Sequence, residues 1–145
     1  MIRKVRPDEK KLYVSLAMEF YDSPKFTCSI PEHYVNNAWD EIMREDSYLS
    51  AYIIEETKKP VGFALLSTTF SQRAGGKVVW IEELYVKEEY RGRGLASEFL
   101  GFIKDKIEPQ TAQIRVELEP NNEYAKEMYT SIGYEEKPVI RMKKE

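Results

Sequence analysis

Three strand-like segments follow one another in the middle of the chain, and they constrain its fold more than any other feature. Residues 49–56, 61–70 and 77–86 have the composition of strands, and only short turns rich in glycine, proline and polar residues separate them. Strands joined by turns this short pair antiparallel, because a parallel pair needs a long crossover connection. The centre of the chain is therefore predicted to be a set of antiparallel hairpins.

Periodic apolar residues on both sides of this region predict helices. Spacings of three and four residues begin after Asp8, after Ser29, at Gly92 and at Asn122. At the second of these starts, Ser29 and Glu32 have the spacing of a capping box. The faces expected to point inward carry Leu12, Tyr13, Leu16, Ala17, Phe20, Tyr34, Val35, Ala38, Trp39, Ile42, Leu95, Phe99, Phe102, Ile103, Ile107, Ala125, Met128, Tyr129 and Ile132.

Short strands near both ends complete the element order. Residues 2–5 precede the first helix, residues 112–118 alternate between apolar and polar, and residues 134–143 have the pattern of a final pair of short strands. The order is β-α-α-β-β-β-α-β-α-β, which predicts an α+β fold with helices packed around a mixed sheet. We expect one domain over residues 1–145.

The composition limits the possible classes of function. The net charge of −3 and the scattered cations argue against nucleic-acid binding, which needs a basic patch. One cysteine, Cys28, and one histidine, His33, allow neither an intramolecular disulfide nor a structural zinc site. No apolar run has the length of a membrane span, and residues 1–6 lack the apolar stretch of a signal peptide. We expect a cytoplasmic, metal-free protein without a membrane partner.

The segment 80–96 carries the chemistry. A strand ends in a basic turn, Arg91-Gly92-Arg93-Gly94, and a helix begins at once. Glycines let backbone N–H groups approach a ligand closely, and a helix N-terminus adds unpaired donors, so the turn predicts a pyrophosphate site. The turn has no Gly-Lys-Ser/Thr of a P-loop. It also lacks the third glycine and the early βαβ position of a dinucleotide-binding fingerprint.

Two motifs resemble those of one enzyme family. Arg91-Gly92-Arg93-Gly94-Leu95-Ala96 is similar to the Gln/Arg-x-x-Gly-x-Gly/Ala motif of the GNAT superfamily of acetyl-CoA-dependent N-acetyltransferases. The second motif resembles the family's Asn-x-x-Ala-x-x-apolar-Tyr-x-x-x-Gly-aromatic helix and consists of Asn122, Ala125, Met128, Tyr129, Gly133 and Tyr134. Both motifs come in the family's order, with a strand between them.

The resemblance implies a GNAT-like fold with acetyl-CoA as co-substrate. The sheet would splay between the strands at 78–87 and 112–118, and the co-substrate would lie in the opening. Backbone groups of Leu84, Tyr85 and Val86 would pair with the pantetheine arm. Asn122 would reach the co-substrate and also cap its own helix. The pyrophosphate would lie against Arg91, Gly92, Arg93, Gly94, Leu95, Ala96 and Ser97.

Acetyl transfer to an amine needs a proton acceptor, donors for the developing oxyanion and a proton for the departing thiolate. The resemblance assigns the last role to the Tyr129 hydroxyl and the oxyanion donor to the Tyr85 backbone N–H. A tyrosine that only packs in the core is the alternative for Tyr129.

Glu82 and Glu83 interrupt an otherwise apolar strand, where carboxylates are costly unless they face a cavity or a cation. Strand alternation would point them to opposite faces, whereas a β-bulge, usual in the family here, would bring both to the site. The segment 81–86 resembles the diamine and spermidine/spermine acetyltransferase branch. We therefore assign Glu82 as the base-side carboxylate, which helps to deprotonate the amine, and Glu83 as a residue that binds the acceptor. Structural carboxylates paired with lysines are the alternative.

The region before residue 50 is where such enzymes build acceptor specificity. Candidates for the lining of an acceptor pocket are Tyr21, Asp22, Phe26, His33 and Tyr34. The expected activity is direct attack on acetyl-CoA by a primary amine in a ternary complex, with a polyamine or other small cationic amine as acceptor. A protein lysine or N-terminus as acceptor, and a non-catalytic CoA-sensing domain, stay open. A homodimer is expected by analogy with the family's members.

Overall fold

The sheet at the centre of the molecule has five strands in chain order. The computed structural model describes residues 1–23 and 29–145. Its strands are β1 (Ile2–Lys4), β2 (Leu49–Glu56), β3 (Lys59–Ser71), β4 (Gly76–Val86) and β5 (Gln113–Val116). Strands β1 to β4 pair antiparallel, and β5 pairs parallel with β4. The predicted α+β fold around a mixed, mostly antiparallel sheet is confirmed.

Four helices of the described ranges pack on the sheet: α1 (Lys10–Tyr21), α2 (Glu32–Met43), α3 (Leu95–Phe102) and α4 (Glu123–Ser131). A 3₁₀ turn (Glu88–Tyr90) leads from β4 towards α3, and α3 continues through a π turn (Ile103–Ile107) and a 3₁₀ turn (Glu108–Gln110). In these ranges every helix is too short or too polar to cross a membrane.

The two faces of the sheet have separate apolar cores. The α1–α2 face carries Ala51, Ile53, Phe63, Leu65 and Tyr85, which pack against Tyr13, Leu16, Ala17, Val35 and Trp39. The α3–α4 face carries Tyr52, Ile54, Val61, Ala64, Leu66, Val79, Ile81 and Val86, which pack against Leu95, Phe99, Leu100, Ile103 and Tyr129. The periodicity of α1, α2 and α3 therefore selected side chains that the structure buries, whereas in α4 it buries only Tyr129 among those predicted.

Three helix starts differ from the prediction. α1 begins at Lys10 with Glu9 at its N-cap, not at Asp8. α2 has Pro31 at its N-cap without a side-chain cap hydrogen bond, so the capping box from Ser29 is wrong. α3 begins at Leu95, because Gly94 takes the left-handed conformation (φ of 79°) at its N-cap. Two residues predicted to point inward, Tyr34 and Ile132, are 54% and 51% exposed.

The final pair of strands predicted within residues 134–143 is wrong. The described residues after Gly133 contain no strand, and no further strand pairs with β5 on its outer edge. Ion pairs connect parts of the tail to the rest of the chain. One of them joins Arg141 and Glu117 at 2.8 Å. Without an adjacent strand the tail has no ladder partner for its backbone groups, and its large apolar side chains stay exposed.

Candidate functional site

The parallel pair of β4 and β5 opens partway along β4. Pairing runs from Val78 with Gln113 to Ile81 with Val116 and stops there, whereas β4 continues to Val86. Among the described residues, no strand lies beside the last part of β4 on this side. The strands predicted to splay therefore do lose contact, and they leave the backbone of residues 82–86 without a strand partner on this side.

Strand alternation decides which backbone groups face this opening. The Lys87 N–H donates to the Val61 carbonyl of β3 at 2.8 Å, and Tyr85 is in register with Phe63. Successive residues of a strand direct their backbone groups to opposite sides, so the Tyr85 N–H points towards β3. Leu84 and Val86 direct their backbone N–H and carbonyl groups into the opening. The Leu84 N–H is thus better placed than the Tyr85 N–H to donate to a ligand there.

The turn after β4 is an open backbone cradle. Gly92 and Gly94 have φ values of 78° and 79°, and a Cβ atom at either position would meet nothing within 4 Å. The first N–H groups of α3 follow directly, and Leu95, Ala96 and Ser97 have no preceding helical carbonyls to pair with. Unpaired donors beside open space fit the pyrophosphate of a nucleotide-like group.

The two arginines of the turn support its shape. Arg91 donates from Nε to the Val86 carbonyl at 2.9 Å and lies over the Tyr85 ring, 5.7 Å from its centroid. Arg93 pairs with Glu56 at 3.0 Å and lies over the Tyr90 ring at 5.1 Å. Glu56 balances the charge of Arg93, and the remaining guanidinium N–H groups of both arginines join the backbone N–H groups as donors for a ligand.

The second motif forms α4 as predicted. The Asn122 side chain accepts a hydrogen bond from the Ala125 N–H at 3.2 Å, which confirms its role as N-cap. Gly133 has a φ of 103°, which suits a residue that ends a helix. Contact between Asn122 and a co-substrate stays a prediction.

Tyr129 is buried in the core of the α3–α4 face. Its side chain is 5% exposed, and its ring makes an edge contact with Tyr134 at 5.1 Å. Burial first, and Tyr134 second, raise the pKa of the Tyr129 hydroxyl above its ordinary value. In the described part of the chain the hydroxyl has no hydrogen-bond partner, so a protonated donor is available there.

A β-bulge brings both carboxylates of β4 to one face. Leu65 is in register with Glu83 and Leu66 with Ile81, so Glu82 is an extra residue without a partner in β3. The Ser67 hydroxyl donates to Glu82 at 2.9 Å, and the Tyr21 hydroxyl donates to Glu83. Ser67 and Tyr21 both belong to the α1–α2 side, because Ser67 lies two residues beyond Leu65. At Glu82 the bulge therefore interrupts the regular alternation of side chains between the two faces of the sheet.

The two carboxylates have different surroundings. Glu82 is exposed, whereas burial raises the pKa of Glu83 to about 7. Burial, with the charge of Glu83 as the smaller cause, raises the pKa of the nearby Tyr13. A carboxyl that titrates near neutral pH can accept a proton from a reacting amine.

Two residues of the site carry no sequence signal of their own. Glu19 accepts a hydrogen bond from the Tyr85 hydroxyl at 2.9 Å and pairs with Lys87 at 3.4 Å. With burial as the larger cause, this contact raises the pKa of Tyr85 to about 12. Ser67, which holds Glu82, is an ordinary strand residue by sequence. The Glu19 contact joins residues 66 apart in the chain, and the Ser67 contact depends on the bulge in the β3–β4 hairpin, so only the fold reveals them.

The residues predicted to line an acceptor pocket do not all come together. Tyr21 contacts Glu83. Asp22 is exposed and, with Glu19 and Glu32, lies at a groove of about 840 Å³ between α1 and α2. His33 is exposed and makes an edge contact with Tyr34 at 4.9 Å. Phe26, like Cys28, lies outside the described residues.

The chain is similar to proteins of known family and fold. The model of the acetyltransferase (GNAT) family matches residues 12–134. A possible acetyltransferase from Clostridium difficile 630 has 20% identity and a TM-score of 0.85, over 100% of this chain and 96% of that one. The aminoglycoside N-acetyltransferase AAC(6')-Iy, solved with the bisubstrate analog CoA-S-monomethyl-acetylneamine, has 19% identity and a TM-score of 0.80, over 100% and 97%. At such identities the likeness to solved structures shows the fold alone. No curated protein sequence matches this chain.

Proposed function

Because the chain belongs to the acetyltransferase (GNAT) family, we propose that this acetyl-CoA-dependent N-acetyltransferase acetylates a primary amine of a small cationic molecule, with a polyamine or diamine as first choice. The amine would attack directly in a ternary complex. The observation that carries the proposal is the half-buried carboxyl of Glu83, which lies at a β-bulge beside the open edge of β4 and has a pKa raised to about 7 by desolvation.

The open edge and the cradle are the groups that fit acetyl-CoA. The Leu84 backbone groups and the Val86 N–H would pair with the pantetheine arm, as an added strand does, while the Val86 carbonyl already accepts from Arg91. The N–H groups of the turn from Gly92 and of the first residues of α3 would hold the pyrophosphate. When bound, acetyl-CoA supplies an activated thioester carbonyl, and the Leu84 N–H is placed to stabilise negative charge on an oxygen in the opening.

We assign the base to Glu83 and acceptor binding to Glu82, the reverse of the sequence-based assignment. Glu83 titrates near neutral pH, which suits a group that must take up a proton and release it again. Glu82 is exposed and held by Ser67, which suits a carboxylate that pairs with an ammonium of the acceptor. Water would carry the proton where the amine does not reach Glu83 itself.

Tyr129 is proposed as the acid that protonates the departing thiolate. A tyrosine hydroxyl is protonated at neutral pH, and burial raises the pKa of Tyr129 further. Its place in the core of the α3–α4 face separates it from the two carboxylates. Acid and base would then act from opposite faces of the sheet.

Acidic side chains support a cationic acceptor. Glu82 and Glu83 lie on the α1–α2 face, and Glu19 and Asp22 lie at the end of α1 that carries Tyr21. Glu19 already pairs with Lys87, so an acceptor with more than one ammonium would pair chiefly with Glu82, Glu83 and Asp22. A protein amine as acceptor, or a non-catalytic CoA-sensing role, would leave this group of carboxylates without an explanation.

Free-thiol release from acetyl-CoA tests the proposal. The purified protein would be assayed with spermidine, spermine, putrescine, an aminoglycoside, single amino acids and a lysine peptide. We expect turnover with the polyamines and its loss in Glu83→Gln. Turnover with the lysine peptide alone would contradict the acceptor class, and acetyl-CoA binding without turnover on any amine would favour the sensing role.

A homodimer is also proposed. The tail carries three large apolar side chains that are at least 81% exposed, Val139, Ile140 and Met142. The outer edge of β5 has unpaired backbone groups in the described chain. A strand formed by the tail of a second copy would satisfy that edge and cover these side chains. A cytoplasmic location stays a prediction, which cell fractionation tests.

A further inference from the structure

The end of α1 makes a polar contact with the bulge of β4. Tyr21 is the last residue of α1, and its hydroxyl donates to the Glu83 carboxylate. Its ring has an edge contact with Phe20 at 5.1 Å, and Phe20 in turn contacts Phe63 and Tyr85 at 5.9 and 5.6 Å. The position of the hydroxyl is therefore fixed by aromatic packing on the α1–α2 face.

This contact is important because the rest of the surroundings of Glu83 disfavour its charge. From α1 the titratable neighbours are Tyr13 and Tyr21, and from β4 they are Glu82 and Tyr85. Strand β3 places the apolar Leu65 opposite, and α2 adds the apolar Val35 and Trp39 to the same core. None of these described groups is a cation, so a hydrogen-bond donor is the available means of stabilising the carboxylate.

We propose that Tyr21 is a positioning residue for Glu83, whose hydroxyl holds the carboxylate in place and favours its ionised form. This inference rests on the proposed function, in which Glu83 is the base. A carboxylate without a donor in apolar surroundings takes up a proton and can no longer accept one from the amine. Tyr21 therefore sets the pH range in which the base works, in addition to lying near the acceptor.

The direct test is the titration of Glu83 in Tyr21→Phe. This change keeps the ring and its contact with Phe20 but removes the donor. We expect the pKa of Glu83 to rise by about one unit, the size of a hydrogen bond to a charged group. The measurement is carbon-13 NMR of protein with labelled glutamate carboxyls, with Glu83→Gln to assign the signal. It uses neither acetyl-CoA nor an acceptor.

The matched control is Tyr124→Phe, because Tyr124 is 75% exposed on α4. This variant should leave the titration of Glu83 unchanged. An unchanged or lowered pKa of Glu83 in Tyr21→Phe would overturn the proposal, as would an equal shift in the control.

Kinetics provide a second readout that simple packing would not change. The acidic limb of kcat/KM should move to higher pH in Tyr21→Phe by the same amount, and activity should return towards that of the unchanged protein above the new pKa. A loss that is equal at every pH would contradict the inference. If NMR shows the rise in the pKa of Glu83 but no amine is turned over, the role of Tyr21 is supported and only the proposed function is contradicted.

Discussion

Glu83 combines a cost to folding with a proposed use in catalysis. Its carboxyl lies against the aromatic core of the α1–α2 face, and burial raises its pKa to about 7. Between the ordinary pKa of 4.5 and this value, the folded chain binds a proton that the unfolded chain has released. The free energy of unfolding therefore falls as the pH rises through this interval.

Replacement of Glu83 by glutamine should stabilise the protein at pH 8 by roughly 1–3 kcal/mol, because the neutral amide avoids the burial of a charge. At pH 5, where the folded protein already carries a neutral Glu83, the difference should largely disappear. Urea unfolding at both pH values measures this. Glu82→Gln is the control, since Glu82 is exposed, and a similar pH-dependent gain there would contradict the explanation.

At Tyr129, removal of the hydroxyl alone tests the proposed acid. Tyr129→Phe keeps the ring contact with Tyr134 and should lower kcat about 100-fold, a typical contribution of a positioned acid. Acetyl-CoA affinity, measured by calorimetry, should change little. Turnover equal to that of the unchanged protein would mean that Tyr129 only packs in the core.

Two backbone features of β4 and its neighbours shape the site. The bulge at Glu82 turns two successive carboxylates to one face, and the end of β5 at Val116 leaves the following part of β4 unpaired. The β3–β4 pair must stay intact next to this opening. Gly62 of β3 lies so close to β4 that an added Cβ would be 2.3 Å from the Tyr85 carbonyl oxygen.

Gly62→Ala should therefore destabilise the fold by about 1–3 kcal/mol, as overpacking does, because backbone rather than a flexible side chain must move. It should also weaken acetyl-CoA binding, since Leu84 and Val86 lie on the displaced part of β4. The control is Gly101→Ala in α3, where an added Cβ meets nothing within 4 Å. That change should be neutral or stabilising, as alanine is in a helix. Thermal unfolding compares the two, and equal stability would contradict the close-contact argument.

On the scale of the whole molecule, the sheet ends at a short unprotected strand. β5 has four residues and is paired on one side only in the described chain, while the tail beyond Gly133 has exposed apolar residues and no strand. An edge with unpaired N–H and C=O groups favours the addition of another strand. The tail of a second copy is the occupant that we propose.

A chain shortened after Lys137 should be a monomer where the full chain is a dimer. Light scattering coupled to size-exclusion chromatography measures the mass of each. Serine at Val139, Ile140 and Met142 in the full-length chain is the matched variant, and it should weaken the dimer without removing backbone. The same mass for all three proteins would contradict the role of the tail.

The sequence alone determined most of the helices and strands and the glycine turn after β4. The hairpins over residues 49–86 and the apolar faces of α1 and α3 follow from local periodicity, which depends only on neighbours in the chain. Gly92 and Gly94 also predicted a backbone cradle, because the freedom of glycine to adopt a positive φ depends on the residue itself and not on distant contacts. The tail misled the prediction, because alternation shows that residues could form a strand but not that an adjacent edge is available.

Only the tertiary structure decided how the two carboxylates differ. Glu82 and Glu83 are chemically alike, and the register of β4 against β3, together with the packing of α1, leaves Glu83 half-buried and Glu82 exposed. Tyr21 and Glu83 are 62 residues apart in sequence, so no local pattern relates them. Burial and hydrogen bonding set the pKa of a carboxyl, and both depend on which distant segments fold against it.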